Sequence, residues 1–429
     1  MSHYRPYSAY KDSGVEWIGE VPEHWKLRKV AWDMKMTIGW TPSTKNRHYY
    51  DGPYNWVSIA DLTSGRVKKT KQTITQLAVD EMKGTQAPAG SLLFSYKLTI
   101  GMVALLDEPA FTNEAIAAFY PNKTVEMSFW QYAAPVILPQ YSRKNIYDSD
   151  LLNQDLMNSA RFFAPANKEQ KAIADAINRE TTRIDTLIAK KTRFIELLKE
   201  KRQAFITHAV TKGLDLHVKM KDSGVEWIGE VPEHWDITPI KRAANLRNLR
   251  TNDNPNGVEY IGLEDVESGS GKYSPTEGNS RQSEDSTVAV FNTGDVLYGK
   301  LRPYLKKAII ADQDGVCSTE FLVLDSHKVA PDLLQKWLLT SDVTQQIEST
   351  CEGAKMPRAD WEGVGSVPIP VPPHDEQKLL VEAIGLETTR IDTLIEKTQR
   401  SIELLKERRS AFITAAVTGR IDLREDKNE

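Results

Sequence analysis

Two stretches of the chain carry apolar residues at alternating steps of four and three. The first runs from residue 177 to 209 and the second from 384 to 416. A repeat of this kind over several heptads is typical of long helices that pack along an apolar seam. Two such helices in one chain most economically bury their seams against each other, although each could lie on a domain of its own. The predicted seam residues are Ile177, Ile184, Ile188, Ile195, Leu198, Phe205, Ile384, Ile391, Ile395, Ile402, Leu405 and Phe412.

Shorter apolar runs between glycine turns predict strands in the segments outside these helices. Residues 56–62 parallel residues 260–266, because each stretch combines a short apolar run with a following aspartate. Residues 90–101 parallel residues 294–305, with a glycine turn, an apolar strand and then a basic and aromatic segment. The fold class predicted from this pattern is α+β, with two mixed domains that share a scaffold and differ in most other residues.

Internal repeats divide the chain. The sequence KDSGVEWIGEVPEHW occurs at Lys11–Trp25 and unchanged at Lys221–Trp235, and ETTRIDTLI occurs at Glu180–Ile188 and again at Glu387–Ile395. A repeat of this length indicates a duplicated unit of domain plus helix and is too long for a solenoid. The predicted divisions are a conserved segment (1–25), a first middle domain (26–165), a first spacer helix (166–217), the repeated segment (218–235), a second middle domain (236–370), and a second spacer helix with its tail (371–429).

Short conserved motifs flank each middle domain. The tryptophans of the repeated segment are predicted to anchor it on a helix, with a neighbouring histidine packed beside the second ring of each copy. They are Trp17 and Trp25 in the first copy, and Trp227 and Trp235 in the second. The sequence Glu-Gln-Lys occurs at residues 169–171 and 376–378 and fits part of a nuclease motif. Its position in the first turn of a long helix favours capping and solvation instead.

Composition restricts the class of protein. Of the 429 residues 40% are apolar and 27% charged, as in globular chains of two to four domains. The sequence contains no apolar run of about 18 residues and no signal-peptide pattern, so we expect a cytoplasmic protein without a membrane span. Cys317 and Cys351 cannot form a disulfide framework, and the eight histidines form no metal-binding cluster.

Motifs for catalysis are absent as well. Residues 269–272 resemble a phosphate loop, but Tyr273 replaces the Ser or Thr that would bind magnesium. Residues 51–54 resemble a methyltransferase loop, but a glycine interrupts the motif and a turn explains it better. The sequence therefore predicts a binding protein that is not an enzyme, with no cofactor and no metal.

Charge differs between the two middle domains. The whole chain has a formal charge of -4, residues 26–165 contain 16 Lys and Arg against 12 Asp and Glu, and residues 236–370 contain 14 against 20. Basic and aromatic residues nevertheless recur at matching places in both domains, which suits contacts with phosphates and base edges as well as an ordinary solvated surface. The candidate DNA-binding residues are Arg66, Lys68, Lys69, Tyr96, Lys97, Arg143, Lys144, Lys300, Arg302, Tyr304, Lys306, Lys307, Lys355 and Arg358.

With the repeated KDSGVEWIGEVPEHW segment and the duplicated ETTRIDTLI helices, the chain resembles the DNA-specificity subunit of type I restriction–modification systems. The resemblance implies two target recognition domains separated by an antiparallel coiled coil. It also implies a non-catalytic subunit that binds double-stranded DNA with two modification (methyltransferase) subunits and two restriction (translocase and nuclease) subunits. S-adenosylmethionine, ATP and Mg²⁺ would then belong to those partner subunits.

The duplication also predicts the layout of such a chain. Two similar units joined by antiparallel helices acquire a pseudo-twofold axis, and the N-terminal segment should pack where the second helix ends, which gives a near-circular chain. Each domain would read one half of an asymmetric bipartite target, while the helices set the gap. A stand-alone DNA-binding architectural protein and a coiled-coil protein scaffold are the alternatives.

Overall fold

The computed structural model describes residues 4–144, 148, 150–252, 259–275, 287–351 and 356–424. The chain divides into two compact units, one formed by residues 1–190 with 400–429 and the other by residues 191–399. Each unit contains one middle domain, one copy of the repeated segment and a part of each long helix.

The two predicted spacer helices are present and continuous. The first spans Asn167–Lys212 and the second His374–Val417. None of the twelve predicted seam residues is exposed: seven are buried and five are half-buried. The spacing of apolar residues therefore located both long helices.

Within each unit, the start of one spacer helix packs beside the end of the other. In the first unit Ile177 and Phe412 belong to one core, and in the second unit Ile206 and Ile384 do. Interhelical ion pairs flank the seam: an Arg408 nitrogen lies 2.8 Å from a Glu180 carboxylate oxygen in the first unit, and Lys201 Nζ lies 2.9 Å from a Glu387 carboxylate oxygen in the second. The helices are therefore antiparallel, as the resemblance implies.

The first unit contains a five-stranded sheet of order 36–38, 116–119, 92–95, 103–106 and 66–67, and a three-stranded sheet of order 111–112, 50–57 and 72–74. Its strands are Tyr10–Asp12, Glu20–Pro22, Lys26–Lys29, Met36–Ile38, Tyr50–Val57, Arg66–Val67, Gln72–Ile74, Leu92–Ser95, Val103–Leu106, Phe111–Thr112, Ile116–Phe119, Arg143–Lys144, Asp150–Leu151 and Arg161–Ala164. Its shorter helices are Val30–Asp33, Gln76–Met82, Met127–Ile137 and Gln154–Ser159, with 3₁₀ turns at Arg47–Tyr49, Ile59–Ser64 and Leu138–Tyr141.

The second unit is built around two four-stranded sheets. Its strands are Met220–Asp222, Glu230–Pro232, Asp236–Pro239, Ala244–Leu246, Arg250–Thr251, Glu259–Ile261, Val288–Phe291, Val296–Gly299, Ala308–Ile310, Gly315–Cys317, Phe321–Ser326 and Pro368–Val371. Its shorter helices are Ile240–Ala243, Pro331–Leu338, Ser341–Ser349 and Trp361–Ser366, with 3₁₀ turns at Leu263–Asp265 and Pro303–Leu305.

The middle domains share the scaffold that their sequences predict. In the first domain Trp56 pairs with Phe111 in a parallel ladder, and the carboxylate of Asp61 accepts a 2.9 Å hydrogen bond from the backbone N–H of Ser58. In the second domain residues 259–261 pair in parallel with 315–317, and Asp265 caps the turn in the same way. Both domains therefore place a capped 3₁₀ turn after the same strand.

Each middle domain begins and ends on one two-stranded ladder. Lys26–Lys29 pairs antiparallel with Arg161–Ala164, and Asp236–Pro239 pairs antiparallel with Pro368–Val371. The chain consequently enters and leaves each domain at neighbouring points. This arrangement lets the residues between the ladder strands diverge without changing how the domain is attached.

The N-terminal segment packs against the end of the second spacer helix. The backbone N–H of Asp422 donates a 2.9 Å hydrogen bond to the carbonyl of Arg5, and the rings of Tyr4 and Phe412 lie 5.1 Å apart. The predicted position of this segment at that helix end is confirmed.

Candidate nucleic-acid interface

The repeated segment of the first unit is fixed to the start of the first spacer helix through Glu169. Trp25 is fully buried, and its ring N–H donates to the Glu169 carboxylate at 3.2 Å. The Tyr7 hydroxyl donates to the same group at 3.0 Å, and His24 Nε2 lies 2.9 Å from it. Burial and the neighbouring carboxylate raise the pKa of Tyr7, so its hydroxyl remains a donor. The predicted anchoring role of the tryptophan is confirmed.

The second unit repeats this arrangement. Trp235 is fully buried and its ring N–H donates to Glu376 at 3.0 Å, while His234 Nε2 lies 2.7 Å from the same carboxylate. The same tryptophan and histidine contacts to a glutamate therefore recur in two units whose middle domains differ, and Tyr7 adds a third contact in the first unit.

The glutamine after each of these glutamates connects the helix to the middle domain. Gln170 is fully buried; its Oε1 accepts from the backbone N–H of Glu126 at 2.9 Å, and its Nε2 donates to the carbonyls of Thr124 and Pro165. The expectation of solvation for residues 169–171 is therefore wrong for Gln170. A buried amide needs partners for both ends, and here all three partners are main-chain groups.

Main-chain partners explain how the same residue type, a glutamine at the start of each spacer helix, can attach two domains of different sequence. In the second unit Gln377 accepts from the N–H of Ala330 at 2.7 Å and donates to the carbonyls of Lys328 and Pro372. These bonds are independent of the side chains in the middle domain. The attachment consequently tolerates sequence change in the domain that it holds.

The basic and aromatic segment of the first middle domain forms the turn after strand Leu92–Ser95. Lys97 is exposed, and its Nζ lies 5.5 Å from the centroid of the Tyr96 ring. Tyr96 itself is buried, its hydroxyl donates to the carbonyl of Glu114 at 2.7 Å, and burial raises its pKa. The Tyr96 ring thus belongs to the core of the first unit, and its contact with DNA stays a prediction.

The equivalent turn in the second middle domain is more strongly basic. Arg302 and Tyr304 are exposed, whereas Lys300 is half-buried and burial lowers its pKa. Lys306 Nζ donates to the Ser341 hydroxyl at 2.8 Å, and Lys307 Nζ donates to a backbone carbonyl at 2.7 Å. Two of the predicted lysines therefore hold the loop, and Arg302 and Tyr304 project from it.

The remaining candidates are distributed over other surfaces. Arg66 forms an ion pair with Asp107, and Arg358 forms one with Glu320. Lys144 Nζ lies 3.2 Å from Oδ1 of Asp150. Contact with DNA stays a prediction for these residues and for the exposed side chains Lys68, Lys69 and Arg143. Lys355 lies outside the described residues.

In the described part of the chain, no group of three or more His, Cys, Asp or Glu side chains is arranged to hold a metal ion. Among the same residues, no helix combines the length and the apolar character needed to cross a membrane.

The chain therefore contains one domain scaffold twice, and each copy presents a basic residue in the same turn and is attached to the spacer helices. Residues 33–197 match the family model described as the type I restriction modification DNA specificity domain. This match confirms the resemblance that the repeats indicate.

Alignments with two named proteins reach beyond residues 33–197. The chain is 22% identical over 274 residues to the type I restriction enzyme EcoDI specificity subunit of Escherichia coli, an alignment that covers 60% of this chain and 61% of the relative. It is 21% identical over 444 residues to the MjaIX specificity subunit of Methanocaldococcus jannaschii, with 99% of each chain covered. The chain thus spans less than two thirds of the E. coli relative and nearly all of the other.

Solved structures show the same fold. A chain from a structure titled for complex assembly and conformational transition of the type I R-M system superposes with a TM-score of 0.69 at 13% identity, covering 92% of this chain and 98% of that one. The HsdS subunit from Thermoanaerobacter tengcongensis gives a TM-score of 0.55 at 15% identity, covering 94% and 98%.

Proposed function

We propose that this chain is the specificity subunit of a type I restriction–modification complex. Each middle domain reads one half of an asymmetric bipartite target in double-stranded DNA. The observation that carries this proposal is one scaffold built twice with different turns at the same place, residues 96–101 and 300–307. Methyl transfer and DNA cleavage then fall to partner subunits, which hold S-adenosylmethionine, ATP and Mg²⁺.

Exposed apolar side chains on the spacer helices support a docking role for them. Several leucines and one phenylalanine lie on the outer helix faces, away from the seam, and large exposed apolar side chains in a row are typical of interaction surfaces. Leu187 and Leu394 are related by the repeat offset of 207, and so are Leu197 and Leu404. These two recurring leucine pairs suit two copies of one partner, which we assign to the modification subunits; two restriction subunits complete the complex. The outer-face residues are Leu187, Phe194, Leu197, Leu379, Leu386, Leu394 and Leu404.

Co-purification tests this assignment. We expect an adenine methyltransferase to co-purify with the wild-type chain, and the double substitution Leu197→Glu with Leu404→Glu to abolish its capture, because a charge would be buried in the contact. Leu77→Glu, at a comparably exposed leucine of the first middle domain, should leave capture intact. A wild-type chain that captures no methyltransferase would favour a stand-alone DNA-binding protein or a scaffold.

The length of the spacer helices should set the unread gap of the target. Inserting one heptad after Lys191 and one after Thr398, which are equivalent in the repeat, preserves the seam and lengthens both helices by about 10 Å. We expect the gap to grow by about three base pairs, at ~3.4 Å each, while both half-sites remain the same. Replacing the same heptads with alanine-rich heptads of equal length is the control. An unchanged gap would contradict this role of the helices.

A further inference from the structure

One apolar side chain projects from the first middle domain. Leu98 is 95% exposed, more than any other large apolar side chain in the described residues. It lies in the turn between strands Leu92–Ser95 and Val103–Leu106, directly after the exposed Lys97. A singly exposed leucine is ordinary on a protein surface, so the meaning of Leu98 depends on the backbone that presents it.

The backbone at Leu98 is also unfavourable. Its φ is 62°, in the left-handed region that side chains with a Cβ rarely adopt. The turn fixes this conformation: the buried Ser95 hydroxyl accepts from the N–H of Met102 at 3.0 Å, and the N–H of Gly101 donates to the carbonyl of Ser95 at 3.0 Å. Strain that the surroundings maintain in this way is characteristic of functional sites.

The second middle domain presents a residue at the same place. Aligning residues 90–101 with 294–305 pairs Leu98 with Arg302, which is exposed and has a φ of 54°. Its turn is held as well, because the N–H of Arg302 donates to the carbonyl of Pro357 at 2.8 Å. Two divergent domains therefore hold one projecting residue in the same unusual conformation and differ in its chemistry.

We propose that Leu98 and Arg302 are specificity-determining residues, Leu98 as an apolar wedge against the bases of the first half-site and Arg302 as a hydrogen-bond donor to base edges of the second. This assignment rests on the proposed function. Leucine is among the side chains that proteins insert between base steps, and arginine forms paired hydrogen bonds with guanine. The apolar surface of DNA that Leu98 meets is either the face of a base pair or a thymine methyl group.

The test uses the full chain in complex with its co-purifying subunits and a duplex selected by that wild-type complex from a random pool. Leu98→Gly should raise the melting temperature, because glycine adopts the left-handed conformation without strain. It should nevertheless lower affinity for the selected duplex about tenfold, a loss comparable to one mismatched base pair. The salt dependence of binding should stay unchanged, since no phosphate contact is removed. Leu77→Ala is the control at another exposed leucine and should bind as wild type.

Two further binding measurements identify what Leu98 and Arg302 contact on the DNA. Uracil in place of thymine in the first half-site should leave wild-type binding unchanged if Leu98 meets the face of a base pair, and weaken it if Leu98 meets the methyl group. Arg302→Gly should relax base preference in the second half-site alone. A Leu98→Gly complex with wild-type affinity and base preference would overturn the inference while leaving the proposed function standing. A wild-type complex that selects no sequence would overturn both.

Discussion

Replacing Gln377 with leucine should destabilise the second unit by about 3 kcal/mol or more, because leaving buried backbone groups without partners costs ~1–3 kcal/mol each. The wild-type amide is almost fully buried and bonds one N–H and two carbonyls, those of Ala330, Lys328 and Pro372. Leucine has a similar volume but no polar atom. Equilibrium denaturation followed by tryptophan fluorescence measures the change, because Trp235 lies in the same core.

Two variants make this result specific. Gln170→Leu should destabilise the first unit by a similar amount, since its amide has equivalent main-chain partners. Gln399→Leu alters an exposed glutamine of the second spacer helix and should have little effect. If Gln377→Leu and Gln399→Leu unfolded at the same denaturant concentration, the buried amide would not hold the middle domain to the helix.

Periodicity predicted the long helices because a heptad seam is a local signal repeated many times. The contact of Trp25 with Glu169 joins residues from distant parts of the chain, so no periodicity could reveal it. The signal that could have found it was the joint repetition: the Pro-Glu-His-Trp and Glu-Gln motifs both recur unchanged around domains that diverge. When two motifs on either side of a variable segment both recur unchanged, they are candidates for direct contact with each other.

The candidate DNA surface was less predictable, because turns have no regular side-chain period. A basic and aromatic run does not reveal that Tyr96 faces the core, or that Lys306 and Lys307 hold their own loop. Leu98 is neither basic nor aromatic, so a basic and aromatic pattern does not single it out. Its equivalence with Arg302 is apparent only from the left-handed backbone that the two residues share.

Exchanging the first middle domain, residues 26–165, for the counterpart of a relative should change one half of the DNA target and leave the other half unaltered. The ladder of Lys26–Lys29 with Arg161–Ala164 brings both junctions together, so the exchange preserves the attachment. Gln170 also forms hydrogen bonds with main-chain groups, which the incoming domain can supply as well. Discrimination against the original half-site should reach roughly a thousandfold, as for specific over non-specific DNA binding. The matched control exchanges residues 236–370 and should alter only the other half.

The most direct test of the specificity-subunit assignment is a genome-wide map of methylated adenine. The map compares host strains that carry the wild-type gene, no gene, or the gene for the exchanged chain. We predict a bipartite motif with a fixed gap in the wild type, its loss on deletion, and a motif with one new half in the exchange strain. Methylation that is unchanged by deletion, or two altered halves after a single exchange, would contradict the specificity-subunit assignment.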